Sequence, residues 1–523
     1  MTEPLPQSLL IESLQNPQVY SHPVERVERI ETHISTVLLA GDYAYKIKKP
    51  LDLGFLDFST LDKRHRCCEE EIRLNRRLAP ELYLDVVAIT GTPASPRLEG
   101  TGEPIEYAVK MRRFNQAELL SRSTALDPPL MEAIAEVTAA FHATIPAAAP
   151  DSEFGEPSAV FFPMQQNFDQ IRGLTDDPVR LSRLDPLEHG TQARYERLTP
   201  LLTLRKQQGF IRECHGDMHL GNITRVDGTI RLFDGIEFNP ALRWIDTLNE
   251  VAFFVMDLEQ AGQAGLANRF LNTYLDLTGD FEGLPLLVFY KLYRALVRAK
   301  VTAFRVHQPG LTEAERQAVW QEFDRYLTLA EYYTQAVPPV LILVSGVTGS
   351  GKSYLARPLA AELGALHVRS DVERKRLFGL SPLARSLSGL QTGLYTPEAS
   401  ARTYARLREI AAILLETGLS VVVEATFLRA GHRAVFQALA ERWGVGYRCL
   451  SISAPEALLR ERVVGRLASG LDPSEATLEV LDQQLGSRIP CQDSERPHWR
   501  DIDGTHPPEM SDLVRFCRIQ NTP

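Results

Sequence analysis

The 523-residue chain has no uncharged apolar run long enough to cross a membrane as a helix. Its longest candidates, around residues 251–256 and 340–344, have the length of core segments, so no membrane association is expected. The opening MTEPLPQSLL lacks the basic and apolar regions of a secretory signal, which points to the cytoplasm. Six cysteines form no C-x-x-C pair, and Cys67 and Cys68 are adjacent. Reduced thiols are therefore expected, with neither a disulfide framework nor a zinc site. Internal repeats and low-complexity tracts are also missing. Basic charge is scarce in the first part of the chain: residues 1–335 carry 35 Lys and Arg against 47 Asp and Glu, and residues 336–523 carry 22 against 20. The acidic first part argues against a large nucleic-acid footprint, whereas the second could tolerate an anionic polymer.

What is present is ordinary in bulk and specific in detail. Hydrophobic residues make up 44% and charged residues 24%, which suits a globular protein of about two to four domains. The most specific stretch is VLILVSGVTGSGKS, residues 340–353. Its apolar start reads as a buried strand, and Gly346 to Ser353 match G-x-x-x-x-G-K-[ST] at every fixed position. Gly346, Gly349 and Gly351, with Ser350 between the last two, let backbone N–H groups turn inward around phosphate oxygens. Lys352 reaches the β- and γ-phosphates of ATP, and the Ser353 hydroxyl is a ligand for Mg²⁺. A helix over 354–363 should follow, its positive end adding to the anion site.

Ahead of that motif, alternation over 26–49 predicts strands at 35–39 and 43–48 joined by a turn at Gly41-Asp42, with Lys46 and Lys48 on one face. A helix over 61–78 and strands at 84–89 and 105–111 complete a small, mainly antiparallel lobe. From 128 onward the pattern is helical, with a loop or insertion at 146–163, helices around 191–208 and 245–263, and more from 268 to 335. Ala336-Val337-Pro338-Pro339 reads as the joint between domains 1–335 and 336–523.

Within the first part, Cys214–Asn222 contains H-x-D-x-x-x-x-N, and Asp234 follows at the end of a strand over 230–233. The set suits phosphoryl transfer: Asp217 to accept the proton of an attacking hydroxyl, Asn222 and Asp234 to hold Mg²⁺ on a triphosphate. His215 reads as a buttress of the loop. A strand lysine paired with a helix carboxylate would complete the site; Lys46 with Glu71 have the right order, and Lys48, Glu69 and Glu70 remain alternatives. This part resembles the aminoglycoside-phosphotransferase and choline-kinase branch of the protein-kinase-like fold. The whole chain resembles bacterial two-part proteins that join such a domain to a P-loop ATP-binding domain. YAYKIKKPLDLGFLDFST, EEEIRLNRRLAPELYL, HGDMHLGNI and LFDGIEFNPALRWIDTLNEVAFFVMDLE carry that likeness. The resemblance implies that Met111 lies near the adenine hinge and that Asp246 and Glu250 belong to a supporting helix. No G-x-G-x-x-G loop is present. Glu31–Thr36 (ETHIST) stands in its place, so backbone groups, Thr32 or Ser35 would have to clamp phosphate. Asp234 is followed by Gly-Ile, and no A-P-E block is visible, which counts against a regulated protein kinase.

In the second part, a strand over 365–368 ends in Arg369-Ser370-Asp371. The carboxyl end of such a strand opens the crevice of a parallel sheet, making Asp371 a candidate acceptor group or base and Arg369 a candidate clamp; Asp371 could equally cap the next helix. The strand over 419–423 runs into Glu424, which looks like the strand-end acid, commonly aspartate, that serves Mg²⁺ or its water in small P-loop kinases. Arg462 and Arg466, four apart on a helix, resemble a lid over the triphosphate, while Arg460 reads as solvated. This part resembles gluconate-kinase-like, zeta-toxin-like and polynucleotide-kinase-like phosphotransferases.

The expected fold is thus an α+β two-lobed protein-kinase-like domain of aminoglycoside-phosphotransferase type, followed by a three-layer α/β P-loop NTPase domain with a parallel sheet. The expected activity is ATP- and Mg²⁺-dependent transfer of the γ-phosphate to a small hydroxylated molecule. The alternatives are a polynucleotide 5′-hydroxyl kinase in the second part, nucleic acid being the less favoured partner, or one module acting only as a nucleotide-binding regulator.

Overall fold

The structure is a computed structural model that describes residues 6–54, 56–306, 310–386, 393–469 and 472–518. The sequence also suggests a helix break at Pro309-Gly310, of which Pro309 lies outside the described residues. Two compact units emerge from the contacts: residues 1–126, 141–161 and 202–254 form one, and residues 127–140, 162–201 and 255–523 form the other.

In the first unit, strands β1 (Val27–Glu31), β2 (Ser35–Ala40), β3 (Tyr43–Lys48), β4 (Tyr83–Thr92), β5 (Ser95–Leu98) and β6 (Pro104–Arg112) make one sheet in the order β1-β2-β3-β6-β4-β5. Every neighbouring pair is antiparallel. Alternation sorts the side chains. Leu38, Ala40, Tyr45 and Ile47 pack with Leu10 and Ile11 of the helix Pro6–Ser13 and with Leu14 just after it, while Leu39 and Ala44 pack with Cys68 and Ile72 of the helix Leu61–Asn75. Lys46 and Lys48 share the face of Ala44 by the same period and so meet that helix. Thr60 caps the helix by accepting the Lys63 N–H. Beyond the sheet, β7 (Ile211–Glu213) pairs with β10 (Trp244–Asp246), and β8 (Ile223–Val226) forms a hairpin with β9 (Thr229–Leu232). Asp227 and Gly228 take positive φ at its tip, as a tight two-residue turn demands.

In the second unit, strands β11 (Val340–Ser345), β12 (Leu366–Arg369), β13 (Val421–Ala425), β14 (Gly446–Ser453) and β15 (Trp499–Asp503) form a wholly parallel sheet in the order β12-β13-β11-β14-β15. One face packs Ile342, Val344, Val422 and Leu450 against Leu355 and Leu359 of the helix Lys352–Leu363 and Leu513 of the helix Met510–Arg518. Helices Pro397–Glu416 and Ala430–Trp443 also pack on this sheet. The continuous apolar runs of the strands follow from this cover. The unit further contains helices Ala264–Thr278, Leu287–Val306 and Glu313–Tyr332.

Two expectations need correcting. The stretch anticipated as a loop over 146–163 ends inside the helix Pro157–Arg172, because Pro157 at the first helical position starts a helix that tolerates Pro163. The stretch between the expected strands at 84–89 and 105–111, which reads as a Gly/Pro-rich turn over 91–102, holds a strand of its own, β5.

Candidate active sites

In the first unit the loop between β7 and β8 is held from several sides. The backbone turns sharply at Gly216, where φ is +86° and a Cβ would come within 2.8 Å of the Leu242 carbonyl. The Gly216 N–H donates to Glu250 Oε1 at 2.7 Å, and Glu250 Oε2 lies 2.7 Å from His142 Nε2. His215 Nδ1 accepts the Asp217 N–H at 3.3 Å, which leaves Nε2 protonated to donate to the Phe233 carbonyl at 2.9 Å. Burial lowers the His215 imidazole pKa, in the same sense as the neutral tautomer that accepts at Nδ1. This geometry matches a buttressing His215. Asp217 is then met by Asn222, whose Nδ2 donates to its Oδ2 at 2.9 Å.

Asp234 follows β9 with φ +61°, a conformation uncommon for a residue with a side chain. It is maintained by the Tyr83 hydroxyl, which accepts the Asp234 N–H at 2.9 Å, and by Asn75 Oδ1, which accepts the Gly235 N–H at 2.8 Å. Its carboxylate contacts the Lys46 ammonium directly, and Lys46 Nζ also donates to Glu71 Oε1 at 2.9 Å. Lys48, left as an alternative by the sequence, binds the other oxygen of Glu71 at 2.7 Å and contacts Glu237. Both lysines and Glu71 are buried. Burial alone would lower the Lys46 pKa; Asp234 and then Glu71 outweigh it and hold it well above the ordinary value. Glu71 is likewise opposed by burial, yet Lys46 and Lys48 pull it down to about 2. Glu69 is exposed, and Glu70 pairs with Arg73 and Arg243.

Met111 lies in the core on β6, opposite Ala44. Just beyond it, Arg113, Phe114, Asn115 and Gln116 line a cleft of about 540 Å³ together with Ile30 of β1 and Leu39 of β2. The expected phosphate clamp is corrected in one part: the Thr32 hydroxyl is spent within its own turn, donating to the Ser35 carbonyl and accepting the Ser35 N–H, each at 2.9 Å. Lys49 pins the same turn through the Thr32 carbonyl and Glu31.

In the second unit the loop 346–351 joins β11 to its helix. A Cβ at Gly346 would lie 2.5 Å from Ser350 Oγ, and at Gly349 it would lie 2.8 Å from the Leu459 carbonyl. Gly351 has φ +97° and begins the helix. Lys352 Nζ rests on the Val347 carbonyl at 3.0 Å, and burial lowers its pKa. The Ser353 hydroxyl donates to Glu424 Oε1 at 2.6 Å, so the extra methylene of glutamate does not remove this acid from the site. Glu424 Oε2 is 2.8 Å from His367 Nε2 and 3.8 Å from Arg369 Nε. Burial would raise this carboxyl, but His367, Arg369 and Lys352 outweigh it and hold it well below the usual carboxylate range.

Arg462 donates to the Gly349 carbonyl at 3.4 Å and the Gly504 carbonyl at 2.9 Å; Arg466 donates to Thr348 Oγ1 at 2.9 Å. Arg460 turns outward to Glu456 and Asp482. Asp371 lies in the first turn of the helix Ser370–Leu377, whose cap residue is Arg369 with no side-chain cap bond. Its carboxylate makes no hydrogen bond or ion pair among the described residues and so does not act as the anticipated cap. His367 and Glu237 were not anticipated. His367 sits two residues before Arg369 on the same strand face, and period-two counting from Arg369 is the signal that finds it.

The sequence profile of a family described as an AAA domain matches residues 341–490. Along 92% of this chain and 96% of its own length, an uncharacterized protein of Mycobacterium tuberculosis is 33% identical, and one of Mycobacterium bovis matches equally. Among solved structures, an ethanolamine kinase of Plasmodium vivax is 12% identical over 62% of this chain and 86% of that one, with a TM-score of 0.39. A gluconokinase of Sinorhizobium meliloti is 22% identical over 34% of this chain and 89% of that one, with a TM-score of 0.24. Among the described residues no helix is long and apolar enough to cross a membrane.

Proposed function

We propose a function from one premise: the chain belongs to the same family as the uncharacterized mycobacterial proteins, which it matches nearly end to end. In that reading, residues 1–335 and 336–523 are two phosphotransferase modules, each moving the γ-phosphoryl group of ATP to a hydroxyl of a small molecule. The observation that carries it is shared by both. An acid suited to a divalent metal touches a phosphate-loop or phosphate-lysine group, Asp234 on Lys46 and Glu424 on Ser353.

The donor sets fit Mg²⁺, which prefers hard oxygen ligands. Asn222 and Asp234 would hold it in the first module, Ser353 and Glu424 in the second. When bound, the ion supplies charge neutralisation on the β- and γ-phosphates. The remaining chemistry falls to the chain. Lys46, oriented by Glu71, grips phosphate, and the planar base fits the cleft between Leu39 and Phe114. Asp217, fixed by Asn222, takes the proton of the acceptor hydroxyl as its oxygen bonds to phosphorus and the bond to the departing ADP oxygen breaks. In the second module the loop N–H groups and Lys352 hold the triphosphate, Arg462 and Arg466 neutralise charge as it transfers, and Asp371 meets the acceptor.

A second reading has the first module bind nucleotide without turnover, and the Thr32 turn closed on itself favours it. Labelled γ-phosphate transfer into a metabolite extract separates the two. If Asp217→Ala and Lys352→Ala each abolish a different product, both modules are kinases. If Asp217→Ala leaves every product unchanged, the first module is a regulator. Labelling of a 5′-hydroxyl oligonucleotide, lost in Lys352→Ala, would instead make nucleic acid the acceptor of the second module.

A further inference from the structure

The strand β12 is the edge of the parallel sheet, and an edge leaves peptide groups to be satisfied. Here the helix Ala264–Thr278 supplies them with side-chain amides. Asn268 Nδ2 donates to the Ala365 carbonyl at 2.8 Å, and Asn272 Oδ1 accepts the His367 N–H at 2.7 Å. Residues four apart share a helix face, so Asp276 comes next along the same row and lies 3.5 Å from Arg369 Nη1. The helix therefore walls off a cavity of about 230 Å³ beside β12, lined among others by Asn272, Asp276, Arg357, His367 and Arg369. Arg369 also approaches Glu424, which binds Ser353, so the cavity borders the phosphate-loop chemistry.

The cavity is lined by three arginines, Arg269, Arg357 and Arg369, and three carboxylates, Glu132, Glu136 and Asp276, yet the pairing leaves one guanidinium without a direct partner among the described residues. Arg369 is 6% exposed, and its Nε has no hydrogen-bond partner. Arg357, in the helix that follows the phosphate loop, makes no hydrogen bond or ion pair among the described residues. Burial, then Arg369 and Arg269 nearby, lower its pKa, and Asp276 and Glu132 only partly offset them. The acids at the cavity are committed or outward: Glu132 pairs with Arg269, Asp276 is shared with Arg369, and Glu136 is exposed. A half-buried guanidinium without a carboxylate is costly unless an anion arrives to pair with it.

We infer that this cavity is the acceptor pocket of the second module and takes a small hydroxylated oxyanion, a carboxylate or phosphate ester. Arg357 and Arg369 grip the anionic group, and Asp276 of the helix Ala264–Thr278 accepts a hydroxyl hydrogen, while Asn272 stays committed to the strand edge. The assignment rests on the phosphotransferase reading of this site and adds the acceptor's charge and the helix that completes its pocket.

The test uses the full chain with two matched trios, glycerol, glycerate and glycerol 3-phosphate, and glucose, gluconate and glucose 6-phosphate. Binding is followed by calorimetry with the non-hydrolysable ATP analogue present, and turnover by labelled γ-phosphate. The expected result is that at least one anion binds while its neutral counterpart does not. Arg357→Ala should weaken that binding at least about tenfold while leaving nucleotide affinity within about twofold. Carboxylate against phosphate within a trio identifies which oxyanion is preferred. The inference is overturned if no anion binds although the nucleotide does, or if Arg357→Ala leaves anion affinity unchanged. Anion binding that depends on Arg357 without any Lys352-dependent turnover would uphold the pocket and sink the kinase reading instead.

Discussion

Glu71 receives two buried ammonium groups, one on each carboxylate oxygen, and this double use decides what its removal does. Glu71→Gln would leave Lys46 and Lys48 with Asp234 and Glu237 alone, and breaking such a buried pair costs about 3–5 kcal/mol. Denaturant unfolding of the variant should show that loss at pH 7. The pH dependence has a definite sign. The folded pKa of Glu71, about 2, lies below its ordinary 4.5, so its stabilisation is present above pH 4.5 and is lost as pH falls towards 2. Wild type should lose stability across that window more steeply than Glu71→Gln. A common acid slope would show that the lysines do not depend on Glu71. Asp217 stands differently, since its carboxylate is oriented by Asn222 and partly open to the site. If Asp217 is the base, as proposed, Asp217→Asn keeps the shape and removes it, so the first module's kcat should fall about 10²–10⁴-fold with nucleotide affinity unchanged. An equal fall in nucleotide affinity would place Asp217 in nucleotide binding and not in proton transfer.

At the scale of elements, what could be read in advance was what lies close together in the chain. Gly346–Ser353 occupy one turn between a strand and a helix, and Lys46 and Lys48 follow from the pleat of a single strand. The partners that tune these groups come from far away. Glu237 reaches Lys48 across 189 residues, and His367 reaches Glu424 across 57, so no local pattern connects them. The docking of the helix Ala264–Thr278 on β12 is of the same kind. Its apolar residues mark it as a helix, but nothing local says that Asn272 will answer a strand N–H 95 residues later. That link is testable. Asn272→Ala leaves the buried His367 N–H unpaired, at a cost of about 1–3 kcal/mol. Hydrogen exchange at the His367 amide should quicken correspondingly, with β11 and β14 amides unaffected. If His367 exchange is unchanged, the edge is satisfied without the helix.

For the molecule as a whole, the proposed function has the two sites hold phosphate by different physical means. The second has a glycine-bearing loop at a helix start, whose backbone N–H groups suit an anion once the Thr348 N–H leaves Gln484 Oε1, which accepts it at 2.7 Å. The first lacks such a loop, and its phosphate lysine is occupied by Asp234 until something displaces it. Nucleotide must compete with that ion pair for Lys46, whereas a metal drawn to Asp234 would release the lysine. The first site should therefore depend more steeply on divalent cation than the second. Calorimetric titration of the full chain with a non-hydrolysable ATP analogue should give two equivalents in the presence of Mg²⁺. With the metal chelated, only the second-module equivalent should persist, weakened. Lys352→Ala should remove one equivalent, and Asp234→Asn should make the other insensitive to metal by freeing Lys46 from its carboxylate. A single equivalent in the wild type, abolished by Lys352→Ala, would mean that the Lys46–Asp234 pair is never displaced and that the first module does not bind nucleotide.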